Sequence, residues 1–132
     1  AKCPNGAPGV EARMPVLFSE GVMKGRISIN KFVEVTSTNP AKICGMYPKK
    51  GSIAVGSDAD LVIIDKNKKV TITKELFHEN VDYTSYEGIE LEGYPVMTIV
   101  RGKVIVKDNV FVGEEGYGQF IKRYKNDEYV VY

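Results

Sequence analysis

The side chains that could carry chemistry are scarce, because the 132 residues include one histidine and two cysteines. Catalytic zinc sites draw mainly on histidines, with cysteines and carboxylates as further ligands. His78 has no second ligand at a metal-binding spacing, and Cys3 and Cys44 lie too far apart for a zinc motif. The sequence therefore predicts no zinc site built from histidines and cysteines within the chain. It argues against a self-contained metallohydrolase and a histidine-based triad.

Carboxylates are the remaining metal-binding side chains. Asp58, Asp60 and Asp65 bracket an apolar run, and Asp58 and Asp60 would share one face of a strand. Such a pair could be imagined as a magnesium or calcium site. We favour turn capping at the two ends of a buried strand.

The histidine and the cysteines have ordinary interpretations. We expect His78 to be a surface or packing residue in a polar loop. Cys44 follows an apolar residue and is expected to be a buried, inert thiol. Cys3, near the start of the chain, is expected to be exposed and open to oxidation.

Charge and hydropathy exclude several classes of partner. The formal net charge is +1, which gives no case for a nucleic-acid binder. The longest apolar run covers residues 61–64, far short of the roughly 20 residues that a membrane span needs. The first residues lack the apolar core of a signal peptide. We expect a cytoplasmic protein with no membrane contact.

The first half of the chain has helical periodicity. Apolar residues recur at helical spacing from Val10 to Val22, with Pro15 inside the pattern, so this helix is short or begins near Pro15. Ser28 is a good N-cap for a second helix that runs through Val35.

A third, very short helix is predicted over residues 40–44. Residues 36–39 should break the preceding helix, since the residue before a proline is pushed out of the helical region. Asn39 would then be the N-cap, Pro40 the first helical residue and Gly45 the stop.

The second half alternates with a period of two. Residues 59–65 read as a strand buried on both faces, and residues 69–73 as its neighbour across a turn at 66–68. A hairpin follows over 94–101 and 103–106, turning at Arg101-Gly102, and Asp108-Asn109 leads to a last strand at 110–112. Residues 119–125 suggest a final helical turn.

These elements predict an α+β chain in which short helices precede a partial antiparallel or mixed β-sandwich. No strong amphipathic helix is present to cover four or five short strands, so a sheet edge should stay open. Length and pattern together indicate a fragment of a larger protein.

Six segments resemble the C-terminal portion of the amidohydrolase superfamily, in its dihydropyrimidinase and D-hydantoinase branch. The broadest is G-S-I-A-V-G-S-D-A-D-L-V-I-I-D at 51–65, similar to the superfamily's G-x-I-x-x-G-x-D-A-D-L-V-I-x-D element. N-P-A-K-I at 39–43 and the hairpin at 96–106 also mark the superfamily. The branch is marked by P-N-G-A-P-G-V-E at 4–11, Y-E-G at 86–88 and G-Y-G-Q-F-I-K-R at 116–123.

The resemblance implies a parent enzyme with a (β/α)8 barrel, a β-sandwich built from both chain termini, and two divalent metal ions, usually zinc. It implies hydrolytic opening of a cyclic amide such as a dihydropyrimidine or a hydantoin. The family's metal ligands all precede the Asn-Gly segment, so none has a matching position here. The fragment alone is expected to be inactive and free of metal.

One functional residue of the family has a match. The resemblance implies that Asn5 lies at the mouth of the barrel and hydrogen-bonds the substrate ring amide through its backbone. Gly6 permits a close approach and is a further contact, while Pro8 stiffens the loop.

The domain interpretation follows from these matches. Residues 1–50 would follow the last barrel strand, 51–113 form the partial β-sandwich, and 114–132 form a loop and an oligomerisation tail. Seven of the eight tyrosines, those at 83, 86, 94, 117, 124, 129 and 132, suggest an aromatic-rich surface. We expect a homo-oligomer assembled through the sheet edge and the tail, in line with the tetramers of this branch.

Two alternatives belong to other functional classes. A non-enzymatic homologue with the same fold could act as an assembly scaffold, because the deciding metal ligands lie outside these residues. A freestanding binding module would be complete as given. Allantoinases and dihydroorotases share the superfamily strand, but the branch segments fit them less well.

Overall fold

A computed structural model describes residues 6–124 of the protein. Short helices in the first half precede an antiparallel four-stranded sheet with the order β1-β2-β3-β4, which confirms the predicted α+β class. The helices are α1 (Arg13–Leu17), α2 (Ile29–Val33) and α3 (Asn39–Ile43), and the strands are β1 (Leu61–Thr71), β2 (Glu90–Val100), β3 (Lys103–Lys107) and β4 (Val110–Phe111). Within the described range, no helix has both the length and the apolar character needed to cross a membrane.

The first helix is short, as predicted. Pro15 is the third residue of α1, where its missing N–H removes no intrahelical hydrogen bond. A π-helical turn, Phe18–Met23, continues the helix. Val10, which the apolar spacing placed in this helix, precedes it and is exposed.

The second helix has the predicted N-cap. The Ser28 side-chain oxygen accepts a hydrogen bond from the backbone N of Lys31 at 3.1 Å, which satisfies one free donor of α2. α3 ends close to the predicted stop, where the backbone N of Gly45 donates to the carbonyl of Lys42 at 3.0 Å.

The predicted break between these helices is wrong. A π-helical segment, Glu34–Thr38, joins α2 to α3, and Asn39 has helical dihedral angles instead of capping α3. Its side-chain amide donates to Glu34 at 3.2 Å. A proline disfavours an α-helix because its ring meets the carbonyl four residues earlier, and the wider π-helical turn before Pro40 shifts those carbonyls.

The predicted turn at 66–68 is also wrong, because β1 is one continuous strand of 11 residues. Asp65 accepts a hydrogen bond from the backbone N of Asn67 at 2.9 Å, but the backbone stays extended. Its neighbour β2 is equally long, so hydrogen-bonding partners are available along β1. Val62 and Ile63 are 41% and 46% exposed, so this strand is not buried on both faces.

The two later turns form where predicted. Arg101 and Gly102 both have positive φ, at 46° and 80°, as a tight hairpin turn requires, and they pair Val100 with Lys103. Asp108 and Asn109 repeat this geometry between β3 and β4. The last strand ends at Phe111, one residue earlier than predicted.

The C-terminal segment differs from its prediction. Residues 119–124 are irregular instead of helical, and position 125 lies outside the described residues. The backbone N of Tyr124 donates to the carbonyl of Gly45 at 2.9 Å.

The chain groups into two compact units. The first comprises residues up to Arg26 and Ile64–Tyr94, and the second comprises Ile27–Ile63 and the residues from Pro95 onward. The first unit contains a core of buried residues: Ala12, Ile72, Phe77, Leu91 and Tyr94. The domain boundaries after residues 50 and 113 stay a prediction.

Gly93 lies within β2 in the first unit and has a positive φ of 84°. A Cβ at this position would lie well inside van der Waals contact with the ring of Phe18, from the π-helical turn after α1. The missing side chain therefore lets the helical segment pack directly on the strand backbone.

We predict that Gly93→Ala destabilises the protein more than Gly88→Ala. Gly88 has nearly the same φ, 80°, but a Cβ there would meet nothing within 4 Å. The left-handed backbone costs both variants roughly 1–2 kcal/mol, and overpacking against Phe18 adds about 1–3 kcal/mol to the first. Urea unfolding of both variants measures the difference, and equal losses would show that Phe18 does not restrict this position.

Candidate functional site

The substrate-binding residues predicted from the sequence lie at the start of the chain. Asn5 is outside the described residues, and Gly6 is exposed at their beginning. A Cβ built on Gly6 would meet no atom of the other described residues within 4 Å, so space adjoins the Gly6 backbone in this part of the chain. The carbonyl of Gly6 accepts a long hydrogen bond, 3.4 Å, from the Tyr83 hydroxyl.

Glu11 ties the loop formed by residues 6–11 to a distant part of the first unit. Its carboxylate accepts hydrogen bonds from the backbone N of His78 at 2.7 Å and from the His78 ring Nδ1 at 2.8 Å. Its own backbone N donates to the Glu79 carboxylate at 3.1 Å. We call this reciprocal set of three hydrogen bonds the Glu11 clamp.

Core residues hold both sides of the Glu11 clamp. Ala12, directly after Glu11, is fully buried, and Phe77, directly before His78, is 8% exposed in the same core. Burial of these apolar side chains brings together two positions that are 67 residues apart. The side chains of Glu11 and His78 themselves remain 30% and 43% exposed.

Tyr94 lies in this core at 4% exposure. Its burial, together with the nearby negative charge of Glu11, raises the pKa of Tyr94 to about 12. The Lys68 ammonium lies 5.6 Å from the centre of its ring. Tyr94 is therefore a core residue, whereas the sequence placed it on an aromatic-rich surface.

The carboxylates at the start of β1 form ion pairs. Lys50 contacts Asp58 at 2.8 Å and also Asp60, whose second oxygen accepts a hydrogen bond from the backbone N of Arg101 at 2.8 Å. Burial alone would raise the pKa of Asp60, but the hydrogen bonds from Lys50 and Arg101 outweigh it and lower that pKa. Asp60 thus bonds the turn at Arg101, as expected, and Asp58 pairs with a lysine. For Asp65 the expected strand end is wrong, because this residue lies inside β1.

The cysteines and the remaining candidate ligands do not come together in one site among the described residues. Cys44 is a half-buried thiol, less enclosed than expected, and Cys3 lies outside the described residues. Over residues 6–124, no three histidines, cysteines or carboxylates gather closely enough to hold a metal ion. The described side chains therefore do not fit a metal centre.

The geometry of the described residues does not name a family, but a comparison with known families does. The profile of the amidohydrolase family matches residues 8–105. This chain belongs to the amidohydrolase family. Members of the family are generally metal-dependent.

Within this family, the chain is similar to named hydantoinases. A D-hydantoinase of Geobacillus stearothermophilus is 52% identical over 124 residues, which cover 94% of this chain and 26% of that enzyme. A D-phenylhydantoinase of Escherichia coli O1:K1 is 49% identical, covering 93% and 27%. The chain thus spans about a quarter of the length of these curated relatives.

Solved structures agree. A crystal structure of a D-hydantoinase matches with a TM-score of 0.92 and 52% identity, covering 96% of this chain and 28% of that one. A dihydropyrimidinase from Brevibacillus agri NCHU1002 matches with a TM-score of 0.87 and 51% identity, covering 91% and 26%. The resemblance to the hydantoinase and dihydropyrimidinase branch is therefore confirmed.

Sequence reasoning missed the Glu11 clamp. Glu11 closed the P-N-G-A-P-G-V-E segment, and His78 was assigned to the surface or to packing. Their separation follows no local periodicity. Only the unusual lone histidine beside the apolar pair at 76–77 could have drawn attention to this position.

We predict that Asp60→Asn weakens the acid sensitivity of the protein. A lowered pKa in the folded state means that ionised Asp60 stabilises the fold above its ordinary pKa and loses that effect as the pH falls below about 4. The variant should therefore lose less free energy of unfolding than the wild type on acidification, measured by urea unfolding. Asp82→Asn, at an exposed loop residue, is the matched control. Equal acid sensitivity of wild type and Asp60→Asn would contradict the assignment.

At alkaline pH we predict a contribution from Tyr94. Because its pKa is raised in the folded state, the neutral phenol stabilises the fold below about pH 10, and this effect is lost as the pH rises toward 12. Tyr94→Phe should lose less stability than the wild type over that interval. Tyr124→Phe, at a 70% exposed side chain, should behave like the wild type. Identical pH profiles for all three proteins would refute the role of Tyr94.

Proposed function

We propose that this chain is the C-terminal part of a longer cyclic amidase that hydrolyses the ring amide of hydantoins or dihydropyrimidines. The observation that carries the proposal is the match of 96% of the chain to a D-hydantoinase structure at 52% identity. Agreement at this level over 96% of the chain supports this function in preference to a freestanding module of unrelated function. The chain by itself is proposed to be inactive.

Within that enzyme, we propose that the chain contributes a scaffold and one substrate contact. Backbone groups of Asn5 would hydrogen-bond the ring amide, with Gly6 as a further contact. The open space beside Gly6 supports this role, because a small ring could approach the backbone without meeting a side chain. A contact of this kind binds substrate and performs no chemistry.

The chemistry is proposed to depend on residues outside this chain. Among the described residues no three histidines, cysteines or carboxylates come close enough to hold a metal ion, and we propose that the remainder of the enzyme holds two divalent metal ions, taken to be zinc. When bound, such ions activate water and polarise a carbonyl oxygen. The role of this chain would be to present the ring amide in a fixed orientation.

We further propose a cytoplasmic homo-oligomer. β1 and β4 are the edge strands of the described sheet, and β1 is 11 residues long. A long edge with exposed Val62 and Ile63 favours pairing with further strands. The C-terminal tail is the second proposed contact. The segments 1–50, 51–113 and 114–132 remain the proposed domain organisation.

A chimaera tests the proposed function. The matching segment of the Geobacillus stearothermophilus D-hydantoinase is replaced by this chain, and hydrolysis of hydantoin and dihydrouracil is followed. We predict that the chimaera hydrolyses at least one of the two rings and that the isolated chain hydrolyses neither. A chimaera that folds and assembles but is inactive would favour the scaffold alternative. Activity of the isolated chain would contradict the proposal outright.

The substrate contact predicts a second result in the same chimaera. Asn5→Ala keeps the backbone and should leave kcat/KM within about threefold of the value for the unmutated protein. Gly6→Val places a side chain in the open space and should weaken the hydrogen bonds between the backbone and the substrate ring. Loss of one or two hydrogen bonds to the ring would raise KM roughly three- to tenfold. Steady-state kinetics measure both variants. A large loss with Asn5→Ala and none with Gly6→Val would show that the side chain, not the backbone, binds substrate.

A further inference from the structure

The Glu11 clamp attaches the loop formed by residues 6–11 through three hydrogen bonds, each of which involves a carboxylate. Its carboxylate takes both a backbone and a ring hydrogen bond from His78, and its backbone N reaches Glu79. Hydrogen bonds to an ionised carboxylate are stronger than neutral ones. A further hydrogen bond among the described residues, from the Tyr83 hydroxyl to the carbonyl of Gly6, is neutral and long at 3.4 Å.

The position of the Glu11 clamp allows it to fix the orientation of the loop formed by residues 6–11. Ala12 and Phe77 are fixed by the core, so the backbones on either side of Glu11 and His78 are anchored. From that anchor the chain runs back through Gly9, whose carbonyl accepts a hydrogen bond from the N of Arg13 at 3.1 Å. The orientation of the five residues before Glu11 therefore depends on how Glu11 is held.

A purely structural role would have a different signature. The side chains of Glu11 and His78 are about one-third and two-fifths exposed, and ion pairs with this exposure add little to global stability. The core that carries the fold lies beside the clamp and does not include either side chain. Removing the clamp should therefore alter the loop locally and leave the fold largely intact.

We infer that Glu11, through His78 and Glu79, is a positioning residue that holds the backbone at Gly6 in place to bind the ring amide of the substrate. This inference rests on the proposed function, because it assigns a task to the loop in the complete enzyme. A contact made equally to substrate and transition state acts on KM and spares kcat.

Kinetics in the chimaera test the inference. Glu11→Ala should raise KM for hydantoin about three- to tenfold, the effect of one or two lost hydrogen bonds, while kcat changes less than about twofold. Glu11→Gln keeps an acceptor oxygen for the backbone N of His78 and should recover part of the loss. Glu75→Ala, which removes a 69% exposed carboxylate from the same loop region, is the matched control and should leave both constants unchanged.

Amide hydrogen exchange in the 132-residue chain supplies the second measurement. Glu11→Ala should speed exchange at the His78 amide at least tenfold, while the core amides of Ile72 and Leu91 keep their protection. Unchanged exchange at His78 would overturn the clamp itself. If Glu11→Ala speeds exchange at the His78 amide but leaves KM unchanged, the role of Glu11 in positioning is overturned. The same holds if the variant lowers only kcat and the melting temperature. An unmutated chimaera without activity would instead overturn the proposed function, and the substrate part of this inference with it.

Discussion

The burial of five residues, Ala12, Ile72, Phe77, Leu91 and Tyr94, is the constraint on which the first unit depends. These residues come from three stretches of the chain that no local interaction would bring together. Because apolar burial is the main favourable term in folding, their association fixes the end of the 6–11 loop, the loop before His78 and the first half of β2. The hydrogen bonds of Glu11 are then short because the core already fixes the backbone next to Glu11 and next to His78.

Local signals in the sequence predicted local structure. The Ser28 cap and the turns at Arg101-Gly102 and Asp108-Asn109 depend on residues within three or four positions of one another. Such features are set by side-chain capping and by the tolerance of positive φ, which residue types reveal directly. The α+β class followed from the change in periodicity near residue 56, and the branch followed from motifs that cover nearly the whole chain.

Apart from the break before Pro40, which has a local cause, the failures originate in non-local partners. The turn at 66–68 is absent because β2 offers hydrogen bonds along β1, and a lysine-rich stretch stays extended beside it. The break before Pro40 is absent because a π-helical turn accommodates the proline. The clamp joins residues 67 positions apart, and no spacing rule reports such a pair. Exposure of Val62 and Ile63 likewise depends on what covers the sheet, which the strand's own residues do not specify.

These features are consistent with a chain that positions substrate while other parts of the enzyme perform the chemistry. The described residues contribute an ordered scaffold, ion pairs that hold turns and a loop with open space beside its backbone, and no cluster of metal ligands. Under the proposed function, this part of the enzyme orients a ring that residues elsewhere attack. Orientation of a bound substrate is a substantial source of rate enhancement, since it removes rotational freedom before the reaction. A scaffold without reactive groups can therefore matter for both affinity and specificity.

The most direct test is a crystal structure of the chimaera with a bound hydantoin. We expect backbone atoms of Asn5 within about 3.2 Å of the ring amide, with Glu11 still bonded to His78. A ring that binds in the barrel far from residues 5 and 6, with the Glu11 clamp intact, would contradict the proposed backbone contact to the substrate.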